Sequence, residues 1–252
     1  MRPRPSRSAQ KAATGSAGLL SGEVTNLGRV ATPNRVRDVL VSRAERAILM
    51  KRGSADLRQL RRDLPAFPSP LDLERATADL SCAYEAYVSE VSTPGMAASL
   101  ETSALLLALC RKVRVSSAMD LGSGFSSYVL RHWATEADCR VFSVDDEPAW
   151  LARTRQFLVA NGLAPGQLCL WPQLPNQRFD LVFHDFANGT RREATMPRAL
   201  QAARRFLVLD DAQHRGHRAA MAAACSDAGA RLYSLRTVTL DSMKRYAMLA
   251  MR

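Results

Sequence analysis

Apolar residues recur at helical spacing through the first part of this chain and switch to short strand-like runs beyond Val115. From Thr32-Pro33 the positions Val36, Val39, Leu40, Ala44, Ala47 and Ile48 form one stripe, with Arg35, Arg37, Arg43 and Arg46 mostly off it. A threonine cap before a proline at the first helical position suits a start there. The pattern predicts a basic amphipathic helix to about Arg52, stopping near Gly53, and a second short basic helix over residues 54–64. Pro65, Pro68 and Pro70 mark a joint. Ser69, with Pro70 next and Asp72 three residues on, caps a helix expected to reach about Glu90. Ser92-Thr93-Pro94-Gly95 breaks it, and another helix is expected over Ala97–Arg111.

Beyond Val115 the predicted strands end at Asp120 and cover Arg140–Val144, Gln167–Trp171, Arg178–His184 and Phe206–Leu209. Between them lie helical patterns: from the glycines at 122 and 124 to about Ala137, from Pro148 to Asn161 with Gly162 as the stop, from about Met196 to Arg205, and over Gly216–Ala228. Arg231–Thr239 and Arg245–Met251 read as two closing strands, an antiparallel pair. Strands alternating with helices across short loops predict an α/β fold with a doubly wound, mostly parallel sheet.

Charge alters that picture only at the N-terminus. The chain carries a net +11, but residues 1–64 hold 14 Lys/Arg against 5 Asp/Glu and residues 65–252 hold 21 against 19. The surplus of +9 therefore belongs to an extension, and the sheet domain is near balance at +2. Three parts are expected: a disordered basic arm (1–31), a basic helical extension (32–68) and the main domain (69–252). The arm has no acid before Glu23 and no long apolar run, which argues against a secretory signal. A cytoplasmic protein with a basic tail and a mitochondrial one with a transit peptide both fit. The arm suits RNA or an acidic partner, and equally a solvated tail. The amphipathic helix can pack on the main domain, which is the preferred reading, pair with another chain in a homodimer, or lie on an anionic surface. No stretch approaches the roughly 20 apolar residues of a membrane span. The five cysteines contain no C-x-x-C pair, so reduced thiols are expected, not a zinc site or disulfides.

The chemistry gathers at strand ends. Gly122 and Gly124 follow Asp120 as G-x-G between a strand and a helix, the junction where α/β sheets take nucleotide-like ligands. Four strands end in acids: Asp120, Asp145, Asp185 and Asp210-Asp211. Asp145 falls 23 residues after Gly122, at the tip of the neighbouring strand, where an acid accepts from ribose hydroxyls. A dinucleotide loop would carry a third glycine where this chain has Ser127.

These stretches together resemble class I S-adenosylmethionine-dependent methyltransferases. Met119-Asp-Leu-Gly-Ser-Gly-Phe-Ser-Ser127 is similar to that family's first motif and Phe142-Ser-Val-Asp-Asp-Glu-Pro-Ala-Trp150 to its acidic second one. Phe179-Asp-Leu-Val-Phe-His-Asp185 and Leu207-Val-Leu-Asp-Asp211 match the fourth and fifth strands, and the resemblance covers about residues 80–252. It implies a Rossmann-like sheet of seven strands in the order 3-2-1-4-5-7-6. It implies S-adenosyl-L-methionine as cofactor, its amino acid part on Gly122, Ser123, Gly124 and Ser126, its ammonium on Asp120, and its ribose on Asp145 beside Asp146. The adenine would lie near Trp171 or the loop after it, and Asp185 would border the cofactor.

A narrower similarity is to metal-dependent O-methyltransferases of the catechol and sugar-modifying kinds. It implies Mg2+ held by Asp185, Asp210 and Asp211, since three converging carboxylates repel each other without a cation. Pro94-Gly-Met-Ala-Ala-Ser-Leu100 is similar to the gate before the first motif, with Met96 over the site. The general base departs from the pattern: Asn188 and Ala187 stand where the two kinds carry a lysine or an acid. His214 is the best-placed substitute, ahead of His184 and His217, with Asp185 as the second catalytic candidate. His184, inside an apolar strand, suits a core histidine better. The expected activity is O-methylation of a small-molecule or glycan hydroxyl, with Mg2+ assisting. An RNA methyltransferase, or a methyltransferase-like assembly factor docked on a ribonucleoprotein through the arm, stays open. No Asn-Pro-Pro-Tyr-like motif and no cysteine placed for base chemistry favour the RNA reading.

Overall fold

The computed structural model describes residues 33–252 apart from Pro175 and Asn188, so the arm expected over 1–31 lies outside the described residues. The chain divides into Met1–Ser42 and Arg43–Arg252. Helix α1 (Pro33–Asp63) begins in the first unit, and the second holds everything else.

The second unit is built on seven strands: β1 (Ser117–Leu121), β2 (Arg140–Asp145), β3 (Gln167–Leu170), β4 (Phe179–His184), β5 (Ala203–Leu209), β6 (Arg231–Ser234) and β7 (Met248–Met251). Their order is β3-β2-β1-β4-β5-β7-β6. β7 runs antiparallel to both β5 and β6 and the other pairings are parallel. This is the Rossmann-like methyltransferase arrangement expected. Helices α2 (Pro70–Glu90), α3 (Leu100–Val113), α4 (Phe125–Glu136), α5 (Pro148–Ala160), α6 (Gly189–Ala202), α7 (Arg215–Asp227) and the short α8 (Arg236–Thr239) complete it. Among the described residues no helix is long and apolar enough to cross a membrane.

Alternation along the strands makes two cores. On β4, Leu181 and Phe183 face a cluster containing Leu105, Leu107, Val129 and Leu130. Val182 points to the opposite face, with Met119, Leu207, Met196 and Met221. α3 is buried on nearly every side, since Leu105, Leu106, Leu107 and Leu109 have no exposed surface. It packs against α2, α4 and α8, which explains its apolar run.

Local chemistry fixes the helix starts. Ser69 and Asp72 form the expected capping box: Asp72 N–H donates to Ser69 Oγ (3.3 Å) and Ser69 N–H donates to Asp72 Oδ2 (2.9 Å). α3 starts at Leu100, three residues after the expected Ala97, because Ser99 Oγ accepts from Thr102 N–H (3.1 Å) and sets the cap.

Three expectations on the elements are corrected. α1 does not stop at Gly53, and the helix expected to about Arg52 and the short one expected over 54–64 are one. Gly53 is buried inside the helix, and a Cβ there would make ordinary contact with Arg236 Cβ at 3.5 Å, so this glycine continues the helix instead of ending it. α6 begins at Gly189, well before Met196, with Pro197 inside the helix instead of at its start. β6 and β7 are shorter than the runs 231–239 and 245–251. Thr239 helps end the first, its Oγ1 donating to Leu235 O (3.0 Å) within α8 and accepting from Ala247 N–H (3.0 Å).

Candidate active site

The carboxyl ends of β1, β2, β4 and β5 lie side by side. Gly122 N–H donates to Val144 O (2.9 Å) and Asp185 N–H to Leu121 O (2.7 Å), which stitches the turn after β1 between β2 and β4. Gly122 has φ +97°, and a Cβ there would fall 2.4 Å from the Asp185 carbonyl oxygen. Both the backbone conformation and the space require glycine. At Gly124 a Cβ would approach the Tyr87 hydroxyl to 3.1 Å, so α2 leans over the loop.

A buried polar chain supports the loop from below. Asp120 accepts from Ser126 Oγ (2.8 Å) and from Ser127 Oγ. Ser127 Oγ in turn meets Ser143 Oγ (2.9 Å), which Arg131 Nη1 reaches at 2.7 Å. Burial pushes the Asp120 carboxyl up to about 7, against the serine hydroxyls and Arg131. Burial likewise draws Arg131 down to about 10. Asp120 does not reach the pocket. The structure places it under the loop, as an anchor for the first turn of α4.

Asp145 is at the pocket wall and engaged on both oxygens. Oδ2 accepts from Ser123 N–H (2.8 Å) and Ser123 Oγ (3.0 Å). Oδ1 accepts from the N–H groups of Asp146 (2.8 Å) and Glu147 (3.1 Å). A carboxylate has about four acceptor sites, so Asp145 clamps the glycine loop to β2 before it can hold anything else. Burial raises its pKa, and the same four donors oppose the rise.

The cleft at this edge has a volume of about 680 Å3. Gly122, Ser123, Gly124, Ser126, Asp145 and Asp146 form one wall and Asp185, Asp210 and Asp211 another. Tyr87 and the segment 91–98 cover it, with Met96 at the rim 64% exposed. Trp150 and Arg153 of α5, Arg191 and Arg192 of α6, and Arg245 also line it. Arg191 Nη1 pairs with Asp146 Oδ2 at 2.5 Å.

The three expected metal ligands do share this cleft, but their arrangement does not fit a metal centre. Arg192 lies between two of them, Nη2 on Asp185 Oδ1 (2.6 Å) and Nη1 on Asp211 Oδ2 (2.8 Å). Among the described residues no group of three His, Cys, Asp or Glu side chains is placed to hold a metal ion. Burial, and then Arg192 in the opposite sense, dominate Asp185, whose pKa ends raised with Asp210 and Asp211 adding to the rise. Burial works against the Asp211 carboxylate too, yet Gln213 and Arg192 hold it below the usual value. Asp210 is 3% exposed, lines the cleft and has no side-chain donor among the described residues. Burial and the Asp211 charge push it up to about 6.

Other expected residues are not brought here. His214 is exposed at the N-cap of α7, its ring 5.1 Å from that of His217, and does not line the cleft. His217 is buried away from the cleft, and burial lowers its pKa. His184 is a core histidine: fully buried, Nε2 2.8 Å from Thr195 Oγ1, and held neutral with a pKa drawn down to about 3 by burial and then Arg192. Trp171 stacks on Phe186 at 4.8 Å with the Arg198 guanidinium 4.8 Å from its ring, so it belongs to packing outside the cleft.

The sequence reading missed Arg192, Tyr87, Trp150 and Arg245. Arg192 stands seven residues after Asp185, in a stretch with little apolar periodicity. Only knowing that α6 starts at Gly189 turns that spacing into one helical turn beside the acids.

No family model matches the chain, and no curated protein matches it. Solved structures do. Cofactor-bound Rv0187 from MTB superposes with a TM-score of 0.51 at 21% identity, over 70% of this chain and 89% of that one, and shares the fold. The O-methyltransferase TomG from Streptomyces achromogenes, involved in tomaymycin synthesis and solved with SAM, gives 0.49 at 19% over 80% and 97%. A precorrin-6y C5,15-methyltransferase from Geobacter metallireducens gives 0.48 at 17% over 62% and 90%.

Proposed function

We propose that the protein is an S-adenosylmethionine-dependent methyltransferase acting on a hydroxyl of a small-molecule or glycan acceptor. One observation carries the reading. The glycine loop after β1 and the acid ending β2 face, across a single cleft, the carboxylates that end β4 and β5. The residues fit the cofactor: Gly122, Ser123, Gly124 and Ser126 line the cleft where α4 begins, and a helix start favours a carboxylate. Bound there, S-adenosylmethionine supplies a methyl group on a positively charged sulfur.

The chain's own residues then align and desolvate the reactants, which is most of what methyl transfer needs. Asp145 and Asp146 border the ribose position, Asp145 sharing acceptor sites now used by Ser123. Trp150 offers an aromatic wall beside them. Asp210 faces the acceptor side without a side-chain partner, so it would take the hydroxyl proton as the oxygen bonds to the methyl carbon and the methyl–sulfur bond of the donor breaks, its electron pair staying on sulfur. This role rests on its placement, and on His214 lying outside the cleft.

Calorimetry tests the donor site. The parent protein should bind S-adenosylmethionine, and Asp145→Ala should abolish binding by releasing the loop as well as the ribose. No binding by the parent ends the proposal. With an acceptor found by screening hydroxyl compounds with labelled donor, Asp210→Asn should lower kcat by about 10²-fold or more while donor affinity holds.

A further inference from the structure

The corner where Asp185, Asp210 and Asp211 meet already contains a cation. Arg192 reaches it from the first turn of α6 with its side chain 4% exposed. Nη2 donates to Asp185 Oδ1 (2.6 Å) and to the Asp185 carbonyl oxygen (3.2 Å). Nη1 donates to Asp211 Oδ2 (2.8 Å), and Nε to the Ala187 carbonyl oxygen (3.0 Å). Four of the five guanidinium N–H groups are thereby used, and the fifth remains on Nη1. A guanidinium this deep is tolerated only when carboxylates and carbonyls surround it so completely.

Any divalent ion bound by Asp185 and Asp211 together would have to displace this group, or share their oxygens beside its positive charge. Like charges in so dry a place repel strongly. Asp211 also holds a non-glycine backbone at φ +56° and accepts from Gln213 Nε2 (2.8 Å) on its other oxygen, so both of its oxygens already serve hydrogen bonds. We propose that Arg192 is a resident cation that stands in for a divalent metal at this corner, so that the cleft orients its acceptor without one. Given the methyltransferase reading, the guanidinium fixes Asp185 and Asp211, and its remaining N–H and charge face the acceptor oxygen next to Asp210.

The test follows Mn2+ by electron paramagnetic resonance as it is titrated into the full chain. The parent should leave the free-ion signal unchanged. Arg192→Ala should take up Mn2+ at least about tenfold more tightly, because one positive charge has left a carboxylate cluster. Arg192→Ala/Asp185→Asn should lose that gain, and Mn2+ should raise the melting temperature of Arg192→Ala but not of the parent. Two results overturn the proposal: saturable Mn2+ binding by the parent that Asp211→Asn removes, or a folded Arg192→Ala that gains none. The first needs no Arg192 variant, so it decides even if that variant does not fold. Donor binding measured in parallel with a chelator present separates the two readings, since its loss would end the methyltransferase reading and leave the Mn2+ result standing.

Discussion

Gly122 answers to two constraints, and each forbids a side chain. Its φ of +97° disfavours any Cβ, and that Cβ would meet the Asp185 carbonyl oxygen at 2.4 Å, with backbone on the other side that cannot swing away. Gly122→Ala should therefore push the loop off the end of β4. Strained backbone alone costs about 1–3 kcal/mol, so the melting temperature should fall by several degrees and donor binding by calorimetry should weaken by at least about tenfold. An unchanged affinity would show that the loop does not touch the donor. Asp120 makes a different prediction. Its carboxyl is raised to about 7 in the folded chain, above its ordinary value near 3.8, so its contribution is full at low pH and is lost as pH rises from about 4 through about 7. Asp120→Asn should remove that fall, seen as a difference between the two stability–pH curves over this window. Parallel curves would show that the serines and Arg131 fully compensate its burial. The glycines, Asp145 and the strand-end acids were legible because each depends on a strand, a turn and a helix start that are local in sequence. Arg192 was not, because its meaning depends on α6 bringing it back onto acids from two different strands. The sequence resemblance put Mg2+ where the fold puts a guanidinium.

At the scale of elements, α1 shows that charge and packing divide one helix differently. Its arginines set it apart as an extension, yet from Arg43 on it belongs to the same compact unit as the sheet. Leu60 is fully buried. Asp63 accepts from the Tyr233 hydroxyl (2.5 Å) and pairs with Arg231 (3.1 Å), and Asp56 accepts from Ser234 N–H (3.0 Å). All three partners lie on β6, the edge strand, whose unpaired backbone would otherwise be open to other chains. Leu60→Ala removes a buried side chain at a typical cost of about 2–5 kcal/mol, roughly 5–15 °C in melting temperature for a chain of this size. A loss under about one degree would mean that α1 rests on the sheet without stabilising it. The glycine at 53 and the proline at 197 were both misread for one reason: each marks a helix end when the helix is alone. Here Gly53 is buried inside α1 against the residues of α8, and α6 carries Pro197 within it. The sheet order survived these errors because it depends on how strands alternate with helices, not on where each helix begins.

At the scale of the molecule, the cover of the cleft is tied to the far end of the chain. Arg245, just before β7, donates from Nη2 to Pro94 O (2.8 Å) and from Nη1 to Ala97 O (2.8 Å) and Gly95 O (3.3 Å), across about 150 residues of sequence. Asp241 holds it from behind, Oδ2 accepting from Nε at 2.7 Å and Oδ1 from the Arg245 N–H at 2.7 Å. The carbonyls it gathers belong to the Pro-Gly break between α2 and α3, a stretch held within itself by a turn in which Thr93 O accepts from the Met96 and Ala97 N–H groups (3.0 Å each). β7 is the last strand of the chain and runs antiparallel between β5 and β6, so the cover is tied to the segment that completes the sheet. Arg245→Ala leaves three carbonyls without this donor and Asp241 Oδ2 without its partner. Amides of residues 93–98 should then exchange hydrogen faster while those of α3 and β1 do not, and donor affinity should drop by about tenfold, near 1.4 kcal/mol. The drop should appear mainly in the dissociation rate, because the walls of the donor site stay intact and only its cover loosens. Faster exchange with unchanged affinity would place the cover over the acceptor side alone, and unchanged exchange would show that the segment is held by its own packing and not by Arg245.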